Sequence, residues 1–352
     1  MKKARFSFIA VLSAALLLYA CNQPGTTTEQ QNQTAAPSQS ELMKAAYKEI
    51  IKAFETGVAD SLDKYVAENT VSHSTPPPGI TSTGLQQLKD LIAMYHSAFS
   101  GIKLNYHHLV TDGDLLMAHG SWSATNTGPF MGMPATNKTV SNVEYIDILR
   151  FENGKFAEHW EVADNLSMMT QLGMIPAQGS APAAVQHPVY DWNASVTSDP
   201  AKISKMKEAY HAVLAMIQSG NLANIEQYLA ADFNEHMQVP GVTFPAGIEG
   251  AKQAMTMFKQ TYPDLKMTVE HIAAEGDILM AHVWVEGAFS GSLPNFPPAA
   301  KGKNVKFATV DIVKFNADGK ATDHWEVGDH YTEMVQLGIL PAPGGEPQTS
   351  AN

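Results

Sequence analysis

The stretch EHWEVADNLSMMTQLG at residues 158–173 recurs later in the chain as DHWEVGDHYTEMVQLG at residues 323–338. The two copies agree at nine of sixteen positions and lie 165 residues apart. In each copy an alternating segment, typical of a strand, leads into a helical stretch that ends in Gln-Leu-Gly. A long segment that occurs twice indicates an internal duplication.

Other segments repeat at nearly the same spacing. GDLLMAH at 113–119 recurs as GDILMAH at 276–282, and YIDILRFENGK at 145–155 recurs as TVDIVKFNADGK at 309–320. Three histidine pairs stand 163 residues apart and a fourth stands 165 apart: His73 and His236, His108 and His271, His119 and His282, and His159 and His324. The duplication therefore covers most of the chain.

Length and composition agree with this organisation, since 352 residues fit two ordinary domains. We predict a first repeat at 41–176, a linker rich in Ala, Pro and Ser at 177–200, a second repeat at 201–341 and a flexible tail at 342–352. The net charge of −12 predicts an acidic surface that repels phosphates. We therefore expect no nucleic acid partner.

The N-terminus has the pattern of a processing signal. Three basic residues precede an apolar run at 6–19 that is too short to span a bilayer comfortably. The run ends in Leu-Tyr-Ala-Cys at 18–21, which resembles a bacterial lipobox. This resemblance implies a signal peptide at 1–20, a lipid on Cys21 and a disordered tether at 21–40. The expected location is the bacterial cell envelope, facing the periplasm or the exterior; the alternative is an ordinary secretory signal with an incidental cysteine.

Each repeat begins with helices and continues with strands. The first helix is predicted to start after an N-cap at Ser40 and to end at Gly57, and its counterpart ends at Gly220. Second helices are predicted near 85–99 and 248–260. Alternating segments predict strands at 102–111, 114–126, 138–151 and 155–163, with counterparts in the second repeat. This order predicts an α+β fold, with helices on one face of a curved antiparallel sheet.

The repeated segments together resemble the SnoaL-like polyketide cyclases and the related ester cyclases. The most specific features are the His-Trp-acid-x-x-Asp segment at 159–164 and the Gln-Leu-Gly at 171–173, with their counterparts in the second repeat. The resemblance implies a tandem pair of cone-shaped domains of the nuclear-transport-factor type. It also implies cofactor-free acid–base chemistry on a small apolar molecule, in the known cyclases an intramolecular aldol closure.

The resemblance also assigns roles to particular positions. In the family a carboxylate on the last strand transfers the proton, and that position falls on Glu161 and Glu326. A histidine on the neighbouring strand assists, and that position holds Asp147 and Asp311 here. Related domains pair through their sheets. We therefore expect segments 140–150 and 305–314 near an internal, roughly two-fold interface, as in a pseudo-dimer.

The chemistry of these carboxylates depends on whether they share a face. Burial and a second nearby carboxylate both raise a carboxyl pKa, which suits a general base near neutral pH. A two-residue turn would pair Asp147 with Trp160, whereas a three-residue turn would pair Asp147 with His159 and Tyr145 with Glu161. We adopt the second register, which puts Asp147 and Glu161 on one face. The alternative is that these acids have a purely structural role.

Further pocket candidates are His159, His324, Tyr145, His108 and His271. The last two histidines are either pocket residues, on the faces of Tyr106 and Val269, or satisfied core residues. His107 and His108 are adjacent and are therefore predicted to point to opposite faces of a strand.

Asp164 and Asp329 either line the pocket or cap the closing helix of each repeat. The 13 histidines form no HExxH or HxH motif, so we predict no metal. Two functions remain open: an exported enzyme of the cyclase or isomerase type acting on a small apolar carbonyl compound, and a lipoprotein that binds a small molecule without changing it.

Overall fold

The computed structural model describes residues 36–176, 185–237, 242–293 and 296–341. The described residues from Ser38 onward belong to one compact unit. The predicted signal peptide, Cys21, most of the predicted tether and the tail lie outside the described residues. In the part of the chain that is described, no helix is both long enough and apolar enough to cross a bilayer.

The first repeat contains three helices and a five-stranded sheet with the strand order β1-β5-β4-β3-β2. Its elements are α1 (Gln39–Thr56), β1 (Val66–Ser72), α2 (Gly84–Ala98), β2 (Phe99–Asp112), β3 (Leu115–Asn126), β4 (Thr139–Glu152), β5 (Lys155–Ala163) and α3 (Asn165–Leu172). The four predicted strands correspond to β2 to β5.

The second repeat has the same plan, with the strand order β6-β10-β9-β8-β7. Its elements are α4 (Pro200–Ser219), β6 (Leu229–Glu235), α5 (Ile248–Thr261), β7 (Lys266–Glu275), β8 (Ile278–Ala288), β9 (Asn304–Phe315), β10 (Ala321–Gly328) and α6 (His330–Gln336). The predicted fold, a tandem duplication of an α+β domain with helices on a sheet, is confirmed.

One strand in each repeat was not predicted. β1 and β6 pair in parallel with β5 and β10 at the sheet edge, whereas the other neighbours are antiparallel. These edge strands alternate poorly in sequence, and the VAENTVS of β1 is mostly accessible to solvent. An edge strand buries little apolar surface, so its sequence carries a weak strand pattern.

Helix α1 begins two residues earlier than predicted. Ser38, not Ser40, is the N-cap, and it forms a capping box with Glu41: the Ser38 Oγ accepts from the Glu41 backbone N–H. Ser40 instead lies inside the helix, where its hydroxyl contacts Thr111 at 2.6 Å. The predicted end at Gly57 is confirmed by its left-handed φ of 75°.

The β4–β5 hairpin sets the register of the candidate site. Asn153 and Gly154 both have positive φ, and they form a two-residue turn. A bulge at Ala157 then shifts the pairing by one residue, so that Asp147 lies opposite Glu161. The predicted pairing of Asp147 with His159 is therefore wrong, although Asp147 and Glu161 do share a face. A bulge at Thr322 has the same effect in the second repeat.

Each sheet packs its helices on one face, and the other faces contact each other. The contacting residues form one buried apolar group, which we call the inter-repeat cluster: Val110, Met117, Ile146, Ile148, Trp160, Val162, Ala273, Met280, Ala308, Val310, Ile312, Trp325 and Val327. Trp160 lies 4.2 Å from the ring of His271, and Trp325 lies 4.7 Å from the ring of His108. Burial of each large aliphatic side chain contributes about 1.5–3 kcal/mol.

The described part of the predicted linker, 185–200, is docked on the sheets. Val185 packs against the inter-repeat cluster, and the carbonyl of Gln186 accepts from the indole N–H of Trp325. Further along, the backbone N–H of Tyr190 donates to the carbonyl of Tyr106 at 2.9 Å. This segment therefore contacts both repeats before α4 begins.

Candidate active site

The candidate site of the first repeat lies on the helix-covered face of its sheet. Asp147 on β4 is opposite Glu161 on β5. The Tyr47 hydroxyl on α1 donates to Asp147 Oδ2 at 2.6 Å, and His159 Nε2 lies 3.1 Å from Asp147 Oδ1. Both oxygens of Asp147 are thus engaged, which leaves Glu161 as the carboxyl group open to a ligand.

Glu161 is exposed to solvent, but the protein atoms around it still desolvate its carboxyl group. Desolvation and the negative charge of Asp147 raise its pKa, while the positive charge of His159 opposes the shift. Burial lowers the pKa of His159, but its hydrogen bond to Asp147 and the charge of that residue outweigh burial and raise the pKa. His159 and Asp147 therefore form an ion pair beside a weakly acidic Glu161.

The second repeat repeats this arrangement in a more enclosed form. Asp311 is opposite Glu326, the Tyr210 hydroxyl donates to Asp311 Oδ2, and His324 Nε2 lies 3.3 Å from Asp311 Oδ1. The side chain of Glu326 is 17% exposed. Burial, followed by the charge of Asp311, raises the pKa of Glu326 to about 7. This carboxyl group can therefore both accept and donate a proton near neutral pH.

Charged residues that the first repeat lacks surround the second site. Both oxygens of Glu235 lie within 2.9 Å of His324 Nδ1, at the position where the first repeat has Ser72. These contacts contribute to raising the pKa of His324, because they and Asp311 outweigh burial. The imidazole of the second site is thus held in its charged form more firmly than that of the first.

The closing helix adds a second imidazole to the second site. His330 Nε2 lies 3.8 Å from Glu326 Oε1, and His330 Nδ1 lies 2.8 Å from Glu333 Oε2. The Tyr262 hydroxyl donates to the other oxygen of Glu333. Burial lowers the pKa of His330, but Glu333 outweighs it and the pKa is raised to about 9. A cation therefore stands next to Glu326 at neutral pH.

The first site has hydroxyl groups where the second has charges. The Tyr145 hydroxyl donates to the Tyr106 hydroxyl at 3.2 Å on the same face as Asp147, and the second repeat has Thr309 and Val269 at the corresponding positions. Burial raises the pKa of both tyrosines, so they remain neutral donors. The predicted pocket residue Tyr145 therefore faces the candidate site.

His108 and His271 lie on the opposite face from the candidate sites. The predicted placement beside Tyr106 and Val269 is wrong because His107 and Glu270 are bulged and reverse the alternation. The same bulge turns His107 and His108 to one face, against the prediction. Burial lowers the pKa of His108 to about 2, so it is a neutral residue of the interface between the sheets.

Asp164 and Asp329 cap the closing helices. Asp164 Oδ1 accepts from the Ser167 backbone N–H at 2.9 Å, and Asp329 Oδ1 accepts from that of Thr332 at 3.1 Å. This geometry supports the structural alternative for both residues.

Tyr47 and Tyr210 were not among the predicted site residues. They occupy the same place in the first helix of each repeat, in AAYKEI and EAYHAV, 163 residues apart. That recurrence was a usable signal, but a tyrosine within an apolar helical stripe is usually read as core. Glu235 and His330 had no such signal because the first repeat does not share them.

Three side chains of the second site, Asp311, His324 and Glu326, have possible ligand atoms within 4.8 Å of one another. Tyr210 and Glu235 already occupy Asp311 Oδ2 and His324 Nδ1, so the trio is largely satisfied by protein hydrogen bonds.

A separate groove of about 380 Å³ between β1 and β5 is lined in part by Asn69, Asn153 and Glu158. It includes none of the four predicted carboxylates.

Comparison with known proteins finds the same family in both repeats. The model of the SnoaL-like polyketide cyclase family matches residues 42–172 and 206–337. Nogalonic acid methyl ester cyclase of Streptomyces nogalater is 26% identical over 125 residues, covering 35% of this chain and 92% of that protein.

Two solved structures each match a stretch of this chain about as long as one repeat. TsrD from Streptomyces laurentii is 26% identical, with coverage of 38% of this chain and 96% of that one and a TM-score of 0.35. A SnoaL-like polyketide cyclase from Agrobacterium tumefaciens is 19% identical, with coverage of 38% and 98% and a TM-score of 0.33. Since the family match spans both repeats, the chain belongs to the SnoaL-like polyketide cyclase family and carries two copies of its domain.

Proposed function

We propose that the chain is a cofactor-free acid–base enzyme of the cyclase or isomerase type, acting on a small apolar carbonyl compound. The observation that carries the proposal is the glutamate–aspartate pair that both repeats place in register, Glu161 with Asp147 and Glu326 with Asp311. In both pairs a tyrosine and a histidine engage the aspartate, and the glutamate carries the raised pKa.

The two carboxyl groups of each site have different proposed roles. The aspartate keeps the histidine charged, and the ion pair links β4 to β5 in the first repeat and β9 to β10 in the second. The glutamate, in its ionised form, takes a proton from the carbon next to a carbonyl group and leaves an enolate. In a ring closure the enolate carbon forms a bond with a second carbonyl carbon, whose C=O π bond breaks, and the glutamate returns its proton to the alkoxide oxygen formed there. No oxidant or cofactor enters this sequence.

Each site has its own groups for the developing negative charge of the enolate. In the first repeat this group is the neutral hydroxyl of Tyr106, which accepts from Tyr145 and still has its own proton to donate. In the second repeat the group is the imidazolium of His330, close to Glu326. Donors placed in advance near a developing oxyanion contribute to catalysis without reorganisation. We therefore propose that the two sites differ in substrate preference.

We propose further that the two repeats form an internal pseudo-dimer. The support is the inter-repeat cluster, to which both sheets contribute, with Ile146 and Ile148 from one predicted segment and Val310 and Ile312 from the other. Equivalent tryptophans, Trp160 and Trp325, contact a histidine of the opposite repeat. A duplicated chain satisfies within itself a pairing that separate subunits would otherwise supply.

The chain is also proposed to be anchored by lipid on Cys21, facing the periplasm or the exterior. The support is the N-terminal sequence alone: basic residues, an apolar run and a cysteine directly after Ala20. A lipid with two or more acyl chains gives stable attachment to a membrane.

Proton removal can be tested before the substrate is known. The purified protein is incubated in D₂O with a panel of small apolar ketones and β-keto esters, and mass spectrometry measures deuterium at the carbon next to the carbonyl. We expect exchange above the rate in buffer for at least one compound class. Native mass spectrometry identifies compounds that bind. Binding without exchange or turnover would replace the enzyme proposal with the small-molecule-binding function.

A further inference from the structure

A group of three side chains outside the candidate active sites lies where the linker crosses the first sheet. It consists of His119 on β3, Glu144 on β4 and His187 on the linker, and we call it the linker cluster. His187 Nε2 lies 2.6 Å from Glu144 Oε1, and His119 Nε2 lies 3.5 Å from Glu144 Oε2. The possible ligand atoms of all three lie within 4.8 Å of one another.

The burial of His119 leaves part of this group without a structural explanation. Its side chain is 0% exposed, yet Nε2 makes no well-formed hydrogen bond among the described residues and has only the long 3.5 Å contact with Glu144 Oε2. Buried polar atoms are nearly always paired, and leaving one unpaired destabilises the folded chain. A buried imidazole nitrogen that faces a carboxylate and a second imidazole is typical of a metal ligand.

We propose that the linker cluster binds one divalent transition-metal ion of the Zn²⁺ type. Two imidazole nitrogens and one carboxylate oxygen are ligands that Zn²⁺ takes in proteins, whereas Ca²⁺ and Mg²⁺ prefer an all-oxygen shell. The ion would displace the close contact of His187 with Glu144, and both would turn their atoms onto it. Water completes the coordination.

Neighbouring residues hold the proposed ligands in place. The other ring nitrogen of His119 lies 3.1 Å from His108 Nδ1, and this contact fixes the orientation of the His119 ring. On the linker, the carbonyl of Pro188 lies 3.1 Å from His107 Nδ1, and the ring of His107 stacks on that of His187 at 4.5 Å. Such outer contacts orient metal-binding histidines and raise metal affinity.

The second repeat has a related group, Glu270, His271 and His282, whose possible ligand atoms also lie within 4.8 Å of one another, but this group includes no histidine from the linker. His271 and His282 repeat the histidine pair with a separation of 3.2 Å. The position of Glu144 is taken by Ala308, and Glu270 is already bonded to the indole N–H of Trp284. Because His187 comes from the linker, metal binding would fasten the linker to the first sheet.

The test titrates the purified protein with Zn²⁺ in competition with a chelating dye. We expect one tight equivalent per chain. His187→Ala and Glu144→Gln should each weaken that equivalent by on the order of 100-fold, since loss of even an outer partner costs about 10- to 100-fold. His211→Ala, which removes an exposed histidine on α4, is the matched control and should bind as the wild type does.

Two further measurements separate the linker cluster from other sites. Zn²⁺ should raise the Tm of the wild-type chain and of Glu326→Gln but not that of His187→Ala. Because His187 lies in the linker, His187→Ala should still fold, and circular dichroism will verify this. X-ray absorption should show two imidazole ligands. The proposal is overturned if no tight equivalent binds, if His187→Ala and Glu144→Gln bind normally, or if Glu326→Gln removes the binding.

Discussion

Glu326 Oε1 lies 3.8 Å from His330 Nε2, and the first repeat has Asn165 where the second has His330. Burial and the charge of Asp311 raise the pKa of Glu326 to about 7, and the His330 cation opposes that rise. The two repeats thus share the proposed proton-transfer residue but surround it with different neighbours.

The first prediction concerns the pH dependence of the second site. His330→Asn removes the cation that favours ionised Glu326, so its pKa should rise further above 7. The limb of the rate profile that rises with pH should therefore move to higher pH, and the rate at pH 7 should fall. The measurement uses a Glu161→Gln background so that only the second site works. The converse variant is Asn165→His in a Glu326→Gln background, where only the first site works. It should move the pH–rate profile of the first site to lower pH. An unchanged profile in both would contradict the tuning.

The second prediction concerns stability. The pKa of Glu326 is raised in the folded chain, so its favourable contribution is complete below the unfolded value of 4.5 and is lost as the pH rises to about 7. Above that pH the folded chain bears the unfavourable ionisation of an enclosed carboxyl group. Glu326→Gln should therefore be more stable than the wild type at pH 8, by about 1–3 kcal/mol, with little difference at pH 4.

Denaturant unfolding at pH 4 and pH 8 measures this difference. Glu161→Gln is the matched comparison, and its effect should be smaller because water reaches Glu161. A Glu326→Gln chain that is destabilised at pH 8 would show that the ionised carboxylate makes net favourable contacts, contrary to the account.

The third prediction concerns the tyrosines that engage the aspartates. Tyr210→Phe removes the hydroxyl that donates to Asp311 and leaves one carboxylate oxygen unpaired. Hydrogen bonds to charged groups contribute about 1.5–3 kcal/mol, so the free energy of unfolding should fall by that amount. Tyr47→Phe should act in the same way on Asp147. Tyr228→Phe, at a tyrosine outside the site, is the control, and equal losses in all three variants would contradict the assignment.

The fourth prediction concerns the contact between the repeats. Trp160 is stacked on His73 and packs against His271, and its side chain is buried in the inter-repeat cluster. Trp160→Ala should therefore cost about 3–5 kcal/mol of stability and reduce the cooperativity of unfolding. Trp192→Ala, in the linker beside Tyr106, should cost less. If calorimetry shows one unchanged transition for Trp160→Ala, the pseudo-dimer proposal fails.

The fifth prediction concerns location. Cys21→Ser removes the proposed lipid attachment point, so the chain should move from the membrane fraction to the soluble fraction of cells. Mass spectrometry of the wild-type N-terminal peptide should show the acyl chains. Retention of the variant in the membrane fraction would contradict the lipoprotein proposal.

The sequence predicted the duplication, the first two helices and four of the five strands of each repeat, and the shared face of Asp147 and Glu161, because these depend on periodicity and recurrence. It did not predict the exact partners across the hairpin. A single bulged residue, Ala157, changes the register, and nothing in the residue types around it distinguishes a bulge from a longer turn. The bulge at His107 misled the placement of His108 for the same reason.

Residues that come together from distant elements were also beyond sequence analysis. His187 reaches Glu144 only because the linker docks on the sheet, and a segment rich in Ala, Pro and Ser gives no sign of that docking. Glu235 reaches His324 through a parallel edge strand that alternation did not reveal.

The central claim is that Glu161 and Glu326 remove the proton, and the deuterium-exchange rate of the glutamine variants tests it most directly. Glutamine keeps the shape and the hydrogen bonding of the side chain but cannot act as a base. The account predicts that each single variant loses the exchange of its own repeat and that Glu161→Gln/Glu326→Gln loses nearly all of it, by on the order of a hundred- to ten-thousand-fold. A folded double variant that exchanges at the wild-type rate would contradict the account.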